Sequence, residues 1–244
     1  FFKNINFLKI ANNYFLDSEI IAIGGPAITP KDDSFWQHVS GAVFLGRLTG
    51  GFPERYVPFG PPKEIDDWPT VNLMVRREVF LSVGGFDCNY WPGDDTFLCF
   101  KLKKTGKKMM YVPKMVVWHH RRAGFFLHLK QVGSYGLHRG YFARHYPETS
   151  FRLKFLVPSA LLFFVFVSFF VAFWSQNTFL FWLILLGWLT YILALISALF
   201  DSIKHESFLV SLVTLLYLPP THLYYGFNFM MGFLRKGKLV SKLR

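Results

Sequence analysis

Residues 84–106 read Gly-Gly-Phe-Asp-Cys-Asn-Tyr-Trp-Pro-Gly-Asp-Asp-Thr-Phe-Leu-Cys-Phe-Lys-Leu-Lys-Lys-Thr-Gly, and the fold turns on this stretch. Asp94 suits the N-cap of a helix that buries Phe97, Leu98 and Leu102, carries lysines in its last turn and stops at Gly106. Asp95 then falls in the first turn, exposed at the helix mouth. Taken alone, such an acidic pair caps a helix and opposes its dipole. Working outward, the period-2 and short apolar runs predict strands at Val71–Val75, Met109–Val112 and Met115–Trp118. A helix is predicted from Arg77 to Val83, ended by Gly84-Gly85. Further upstream, Phe7, Leu8, Ile10, Ala11, Tyr14 and Phe15 form a helical stripe. Ile20–Ile23 is a short buried strand closed by Gly24-Gly25-Pro26. Residues 1–154 are therefore soluble α/β structure.

The remainder of the 244-residue chain differs. Apolar residues make up 52% and charged ones 17%, which excludes a disordered or collagen-like chain, and two cysteines exclude a disulfide scaffold. The net charge of +12 lies in one place: residues 101–154 hold 13 basic and 1 acidic side chains. Directly after them, 155–174 and 178–200 run without a charge. At 1.5 Å per residue they reach roughly 30 and 34 Å, enough to cross a bilayer core of about 30 Å. Arg139, Arg144, Arg152 and Lys154 precede the first span and the loop between the spans has no cation, so the N-terminal portion is expected in the cytoplasm. Pro219-Pro220 divides 207–234 into two pieces, each too short to span, and a re-entrant hairpin or pair of shallow helices is preferred over one kinked helix. The domain reading is 1–122 catalytic-type α/β, 123–154 a basic interfacial segment, 155–234 membrane region and 235–244 a basic tail.

Three runs carry a resemblance: "IAIGGPAITPKDDSFWQHVSG" (21–41), "VNLMVRREVFLSVGGFD" (71–87) and "WPGDDTFLCFKLKKTGKKMMYVPKMVVWHH" (91–120). In this order they resemble the acceptor-side half of family 2 glycosyltransferases, and the resemblance implies a partial GT-A (Rossmann-like) fold over nearly all of residues 1–150. In that family an Asn-x-x-x-Arg-Arg segment leads to a Gly-Gly-Phe-Asp turn and a helix opening on an acidic pair, whose second member is the general base. Carried over, Asp95 matches the base and Asp94 its acidic partner; Asn72, Arg76 and Trp91 fall at substrate-binding positions. The resemblance also implies an inverting reaction, in which a carboxylate takes the acceptor proton as the acceptor oxygen attacks opposite a departing nucleotide diphosphate. A helix N-terminus lowers the pKa of such a carboxylate, and a nearby diphosphate raises it.

The family neutralises the diphosphate with a divalent cation, Mg or Mn, on an Asp-x-Asp motif that ends an earlier strand. No such motif stands in that context here. The resemblance places the metal ligands and the donor-binding half upstream of Phe1, so the chain is taken as the C-terminal part of a longer protein, inactive by itself. Asp32-Asp33 and Asp66-Asp67 read as solvated loop carboxylates. His119, His120, Arg121 and Arg122 follow a predicted strand where the family sets a His or Arg near the diphosphate; the membrane surface is the alternative. Residues 125–148 read as an amphipathic interfacial helix with Phe125, Phe126, Leu129, Val132, Leu137 and Tyr141 on its apolar face. Processive members carry Gln-x-x-Arg-Trp in this region. Here Gln131 leads into Val132-Gly133-Ser134-Tyr135, so non-processive transfer is implied, with Gln131 and Arg139 as substrate contacts. His222, Tyr225, Gly226, Phe229 and Gly232 recur at helical spacing and read as a close helix-packing face.

Two functions fit. The first is a membrane-anchored inverting glycosyltransferase, multi-pass in the cell membrane, moving a sugar from a nucleotide-sugar donor to a lipid-linked or polysaccharide acceptor at the cytoplasmic face. The second is a non-enzymatic docking or scaffold protein whose basic collar binds anionic membrane lipids. Nucleic acid is not an expected partner, because the aromatics lie inside apolar spans and are not interleaved with the cations.

Overall fold

A computed structural model describes residues 6–175 and 177–239. The elements follow in the order α1 (Phe7–Phe15), β1 (Ile20–Gly24), β2 (Ala27–Ile28), α2 (Phe35–Ala42), β3 (Lys63–Ile65), β4 (Leu73–Val75), α3 (Arg77–Ser82), α4 (Asp94–Lys103), β5 (Lys108–Tyr111), β6 (Val117–Trp118), α5 (Phe125–His145), α6 (Pro147–Ser150), α7 (Leu153–Trp174), α8 (Thr178–Ile203) and α9 (Phe208–Leu234). The main sheet has the order β3-β5-β1-β4. β1 runs parallel to β5 and antiparallel to β4. Every residue of β1 is buried, as an uninterrupted apolar run requires of a strand covered on both faces. One face packs Ile20 and Ile23 against Phe7 and Ala11 of α1, and the other packs Ile21 against Leu98, Cys99 and Leu102 of α4.

Several predicted boundaries move. The strand expected at Val71–Val75 begins with a 3-10 turn at Thr70–Asn72, and the one expected at Met115–Trp118 keeps only Val117–Trp118. Gly84 and Gly85 both adopt positive φ, 76° and 61°, and stop α3 as read. Asp94 is not the cap of α4. Gly93 holds that position with no side-chain cap bond, and both aspartates lie in the first turn.

Among the described residues two helices, α7 and α8, are long and apolar enough to cross a bilayer. α9 overturns the expected hairpin: it runs unbroken through Pro219 and Pro220. Two prolines remove two helix hydrogen bonds, but packing holds the helix there, since Tyr217, Leu218 and Thr221 are all buried. α5, read as lying in the membrane interface, lies along α9, and its predicted apolar face is buried only in part: Val132 and Tyr141 are buried, while Phe125, Leu129 and Leu137 are half-buried. Phe126 is 82% exposed, while Gly133, Gly136 and Gly140 are buried. A Cβ on Gly136 would meet the Tyr225 carbonyl at 2.5 Å, and one on Gly140 the Phe229 carbonyl at 1.9 Å, so only glycine admits this approach. Gly226 and Gly232 meet α7 and α5 in the same way, as their spacing predicted. Of the basic tail, Arg235, Lys236 and Lys238 are described; Lys242 and Arg244 lie outside the described residues.

Candidate active site

The first turn of α4 opens onto a cavity of about 1100 Å³, lined by Asp95 and Thr96 together with side chains of α5, α7, α8 and α9. Asp95 Oδ1 accepts the Thr96 backbone N–H at 2.7 Å. This local bond inside the first turn replaces the cap that the sequence assigned to Asp94. The Thr96 hydroxyl lies 3.3 Å from Asp67 Oδ1 and 3.5 Å from Asp95 Oδ1, so its single proton serves one carboxylate at a time.

Asp67 corrects the sequence reading. It is no solvated loop carboxylate: its side chain is 10% exposed and accepts from Arg55 Nη2 at 3.1 Å and from Arg139 Nη2. Burial alone would raise its pKa. The Arg139 and Arg55 guanidiniums outweigh burial and hold the carboxyl well below the usual carboxylate range. Asp95, half-buried one side chain away, shows the opposite balance. Burial first, and then the Asp67 charge, push it up to about 6 against Arg139, the Thr96 N–H and Arg55. The helix N-terminus expected to lower Asp95 is therefore outweighed by desolvation and a like charge.

The other predicted site residues separate into three groups. Arg139 joins Asp95 on the cavity wall, held between Asp67, Ser150 Oγ at 3.3 Å and the Phe155 ring at 4.6 Å. Gln131 and Arg121 stand one side chain behind the wall. Gln131 donates to the Tyr135 hydroxyl at 2.8 Å, and Arg121 covers the Tyr56 ring at 4.7 Å while donating to the Ala27 carbonyl. The rest are turned elsewhere. Asn72, expected at the substrate, is buried and ties the Pro26 and Met115 carbonyls at 3.1 and 2.7 Å. Arg76 binds the Ile20 and Phe15 carbonyls at 2.8 and 2.6 Å, bracing α1 against β1. Trp91 is exposed beside Pro92. Asp94 is half-buried and off the cavity wall. His119, also off the wall, is pushed down to about 4 by burial and then by Arg121. His120 pairs with Asp33, whose side chain is 3% exposed, so Asp33 also is not a solvated carboxylate.

Sequence reasoning missed Asp67, Arg55, Lys154 and Tyr225, all at or beside the cavity. One signal was available: Asp67 precedes Trp68-Pro69, and a Trp in that setting marks a buried turn. Trp68 is 2% exposed and donates its indole N–H to the Gly25 carbonyl at 3.1 Å. Among the described residues, no three His, Cys, Asp or Glu side chains converge as metal ligands. Of the carboxylates at or near the cavity, Asp67 is taken by two arginines and Asp66 by Arg152 at 2.6 Å, and Asp95 stands on the wall without a second free carboxylate converging on it among the described residues.

Two curated relatives are the pre-mycofactocin glycosyltransferases of Mycobacterium tuberculosis strains CDC 1551 and H37Rv, each 30% identical over 69 residues. Those residues are 28% of this chain but only 15% of each relative's length. The model of glycosyl transferase family group 2 matches residues 4–233. That match runs from α1 through the sheet, past α5 and to the end of α9. The chain as a whole thus belongs to glycosyl transferase family group 2.

Proposed function

We propose that the chain supplies the acceptor-activating part of a membrane-anchored, inverting, non-processive glycosyltransferase with Asp95 as its general base. The donor is a nucleotide-sugar, of the hexose type, and the acceptor a lipid-linked or polysaccharide hydroxyl at the cytoplasmic face, in cell-envelope polysaccharide synthesis. One observation carries the reading: a half-buried carboxylate on the wall of a large cavity, with its pKa raised to about 6. At pH 7 it is still about nine-tenths ionised, yet more basic than an ordinary carboxylate, which favours proton abstraction.

In the step itself, the acceptor hydroxyl gives its proton to Asp95 while its oxygen bonds to the anomeric carbon. The bond from that carbon to the diphosphate breaks, and the nucleoside diphosphate leaves with the electron pair. Arg139 and Arg55 do not touch the acceptor in this scheme. They hold Asp67 ionised, and burial first, then the Asp67 charge, keep Asp95 basic. A divalent cation, Mg or Mn, would offset charge on the diphosphate, but the residues described here do not fit such an ion, since Asp66 and Asp67 are paired with arginines and no three His, Cys, Asp or Glu side chains converge around Asp95. The cations Arg139, Arg144 and Arg152, which precede α7, and Lys154 in its first turn support a cytoplasmic placement of the sheet domain and a multi-pass anchor.

The test compares wild type with Asp95→Asn and Asp95→Glu in membranes expressing the chain with whatever sequence precedes Phe1 in its gene, reading donor consumption. Asn should reduce turnover about a hundred-fold or more, and Glu should retain part of it. Unchanged turnover with Asn would remove Asp95 as base and leave the docking or scaffold reading.

A further inference from the structure

The segment after α9, read from its charges as a basic tail, is docked on the catalytic part of the fold. Arg144 Nη1 of α5 donates to the Phe233 carbonyl at 3.2 Å, and the backbone leaves α9 extended at Arg235. Arg235 lies close enough for its charge to act on His138 and Tyr141 of α5. Leu239 then enters the protein: it is 5% exposed, sits in one buried cluster with Tyr141 and Phe142, and its backbone is hydrogen-bonded to Tyr141. Cations alone would keep such a segment in water; a buried leucine holds it against the fold.

The cluster that receives Leu239 is the outer support of the α4 mouth. The Phe142 ring lies 5.4 Å from that of Tyr90 and 6.3 Å from that of Phe97, the Phe97 and Tyr146 rings are 5.1 Å apart, and the Tyr90 and Tyr146 hydroxyls are 3.0 Å apart. Phe142 also reaches the helix end itself, since a Cβ on Gly93 would meet its Cε2 at 2.9 Å. Gly93 is the cap residue of α4 and makes no side-chain cap bond; Asp95 follows in the first turn. A helix start without a capping side chain is placed by what packs on it. Phe142 and Asp95 meet again on the wall of the same cavity. A chain of packing thus runs from the Leu239 cluster through Phe142 and Gly93 to the carboxylate.

We propose that Leu239 is a positioning residue for the base: it closes the cluster that presses Phe142 on Gly93, and so fixes the first turn of α4 with Asp95 aimed into the cavity and shielded from water. The inference rests on the glycosyltransferase reading and adds to that site a residue from outside the cavity. Without the leucine a space opens in the cluster, and Phe142 relaxes away from Gly93. Asp95 is raised by burial first and then by Asp67, against Arg139, the Thr96 N–H and Arg55, and Tyr56 and Tyr135 also face it. Water admitted beside it removes the largest of these causes, so its pKa falls toward that of an ordinary carboxylate.

The experiment takes the chain with whatever sequence precedes Phe1 in its gene, in one detergent, and reads amide hydrogen exchange and donor consumption together. Leu239→Ala should speed exchange of the Gly93, Thr96 and Phe97 amides at least about tenfold and leave the β1 amides unchanged. It should lower kcat at least about tenfold with the donor KM within about twofold, and move the acid limb of the kcat profile below pH 6. Leu239→Met, which refills the space, should match wild type in every reading. So should Gly237→Ala, two residues away with nothing within 4 Å. A general loss of folding would speed β1 exchange as well and would leave the pH profile of the surviving enzyme in place. Unchanged exchange at the start of α4, or faster exchange there with kcat and its acid limb as in wild type, would overturn the positioning role. Full turnover in Asp95→Asn would instead sink the base assignment, and the exchange arm would still decide whether Leu239 holds the turn.

Discussion

Replacing Asp95 by Asn should make the protein more stable at neutral pH while it removes turnover. Asp95 Oδ1 accepts one backbone N–H, from Thr96, and an Asn oxygen can accept the same bond. What disappears is the ionised form in a half-buried site beside the Asp67 charge, which lifts the pKa from 3.8 to about 6. A shift of that size corresponds to about 3 kcal/mol, an upper figure for a partly solvated group. The sign follows from proton binding. Between pH 4 and 6 the folded state holds the Asp95 proton more tightly than the unfolded chain, so wild type loses stability as pH rises through that window and has lost all of it above about 6. The Asn variant has no such loss. Its advantage should be absent below pH 4, grow to pH 6 and level off at about 1–3 kcal/mol, a few degrees in apparent Tm for a chain of this size. Thermal unfolding in one detergent at one scan rate, from pH 4 to 8, measures it directly. An Asn variant less stable than wild type at pH 8, or a difference constant across the range, would refute the desolvated-carboxylate argument.

Asp67→Asn should act in the opposite sense. It leaves the Arg55 and Arg139 guanidiniums buried without an anion, destabilising by about 3–5 kcal/mol. It also removes the negative neighbour of Asp95, so the acid limb of the kcat/KM profile should move below pH 6, read in the surviving folded fraction. The depressed pKa of Asp67 adds stability that is present above the ordinary carboxylate value and lost as pH falls through its lower folded one. Asn72→Ala deletes two buried hydrogen bonds and should lower stability by about 2–4 kcal/mol while leaving KM unchanged, by thermal unfolding and donor titration. Gly140→Ala drives a methyl toward the Phe229 carbonyl and should sharply reduce the yield of folded protein, whereas Gly237→Ala, with nothing within 4 Å, should match wild type in the same purification.

Local periodicity and length made much of the fold legible from the amino-acid order alone. The uninterrupted run Ile20–Ile23, the Gly84-Gly85 stop and the acidic opening of α4 each depend on neighbours a few residues away, and each stands close to where it was read. So do the two apolar helices, because twenty uncharged residues in a row carry that information without help from the rest of the chain. The packing of α5 on α9 was not legible, since the apolar residues of 125–148 read as a face for the membrane interface, whereas Val132 and Tyr141 are buried in the protein and the close approaches are made at the glycines at 133, 136 and 140. The continuity of α9 through Pro219-Pro220 was likewise beyond a local rule, because it is packing from other elements that holds the helix together there.

The electrostatics of the site could not be read in this way. Asp67 meets Arg139 across 72 positions of sequence and Arg55 across 12, and Asn72 meets Pro26 across 46. Charge in a protein interior acts through space and through the loss of water, neither of which follows chain order. The sequence by itself therefore determined which carboxylate opens α4 and where the two long apolar helices lie. Only the tertiary structure decided that this carboxylate shares a cavity with them, and that burial, joined by a second aspartate held ionised by two arginines, keeps it basic.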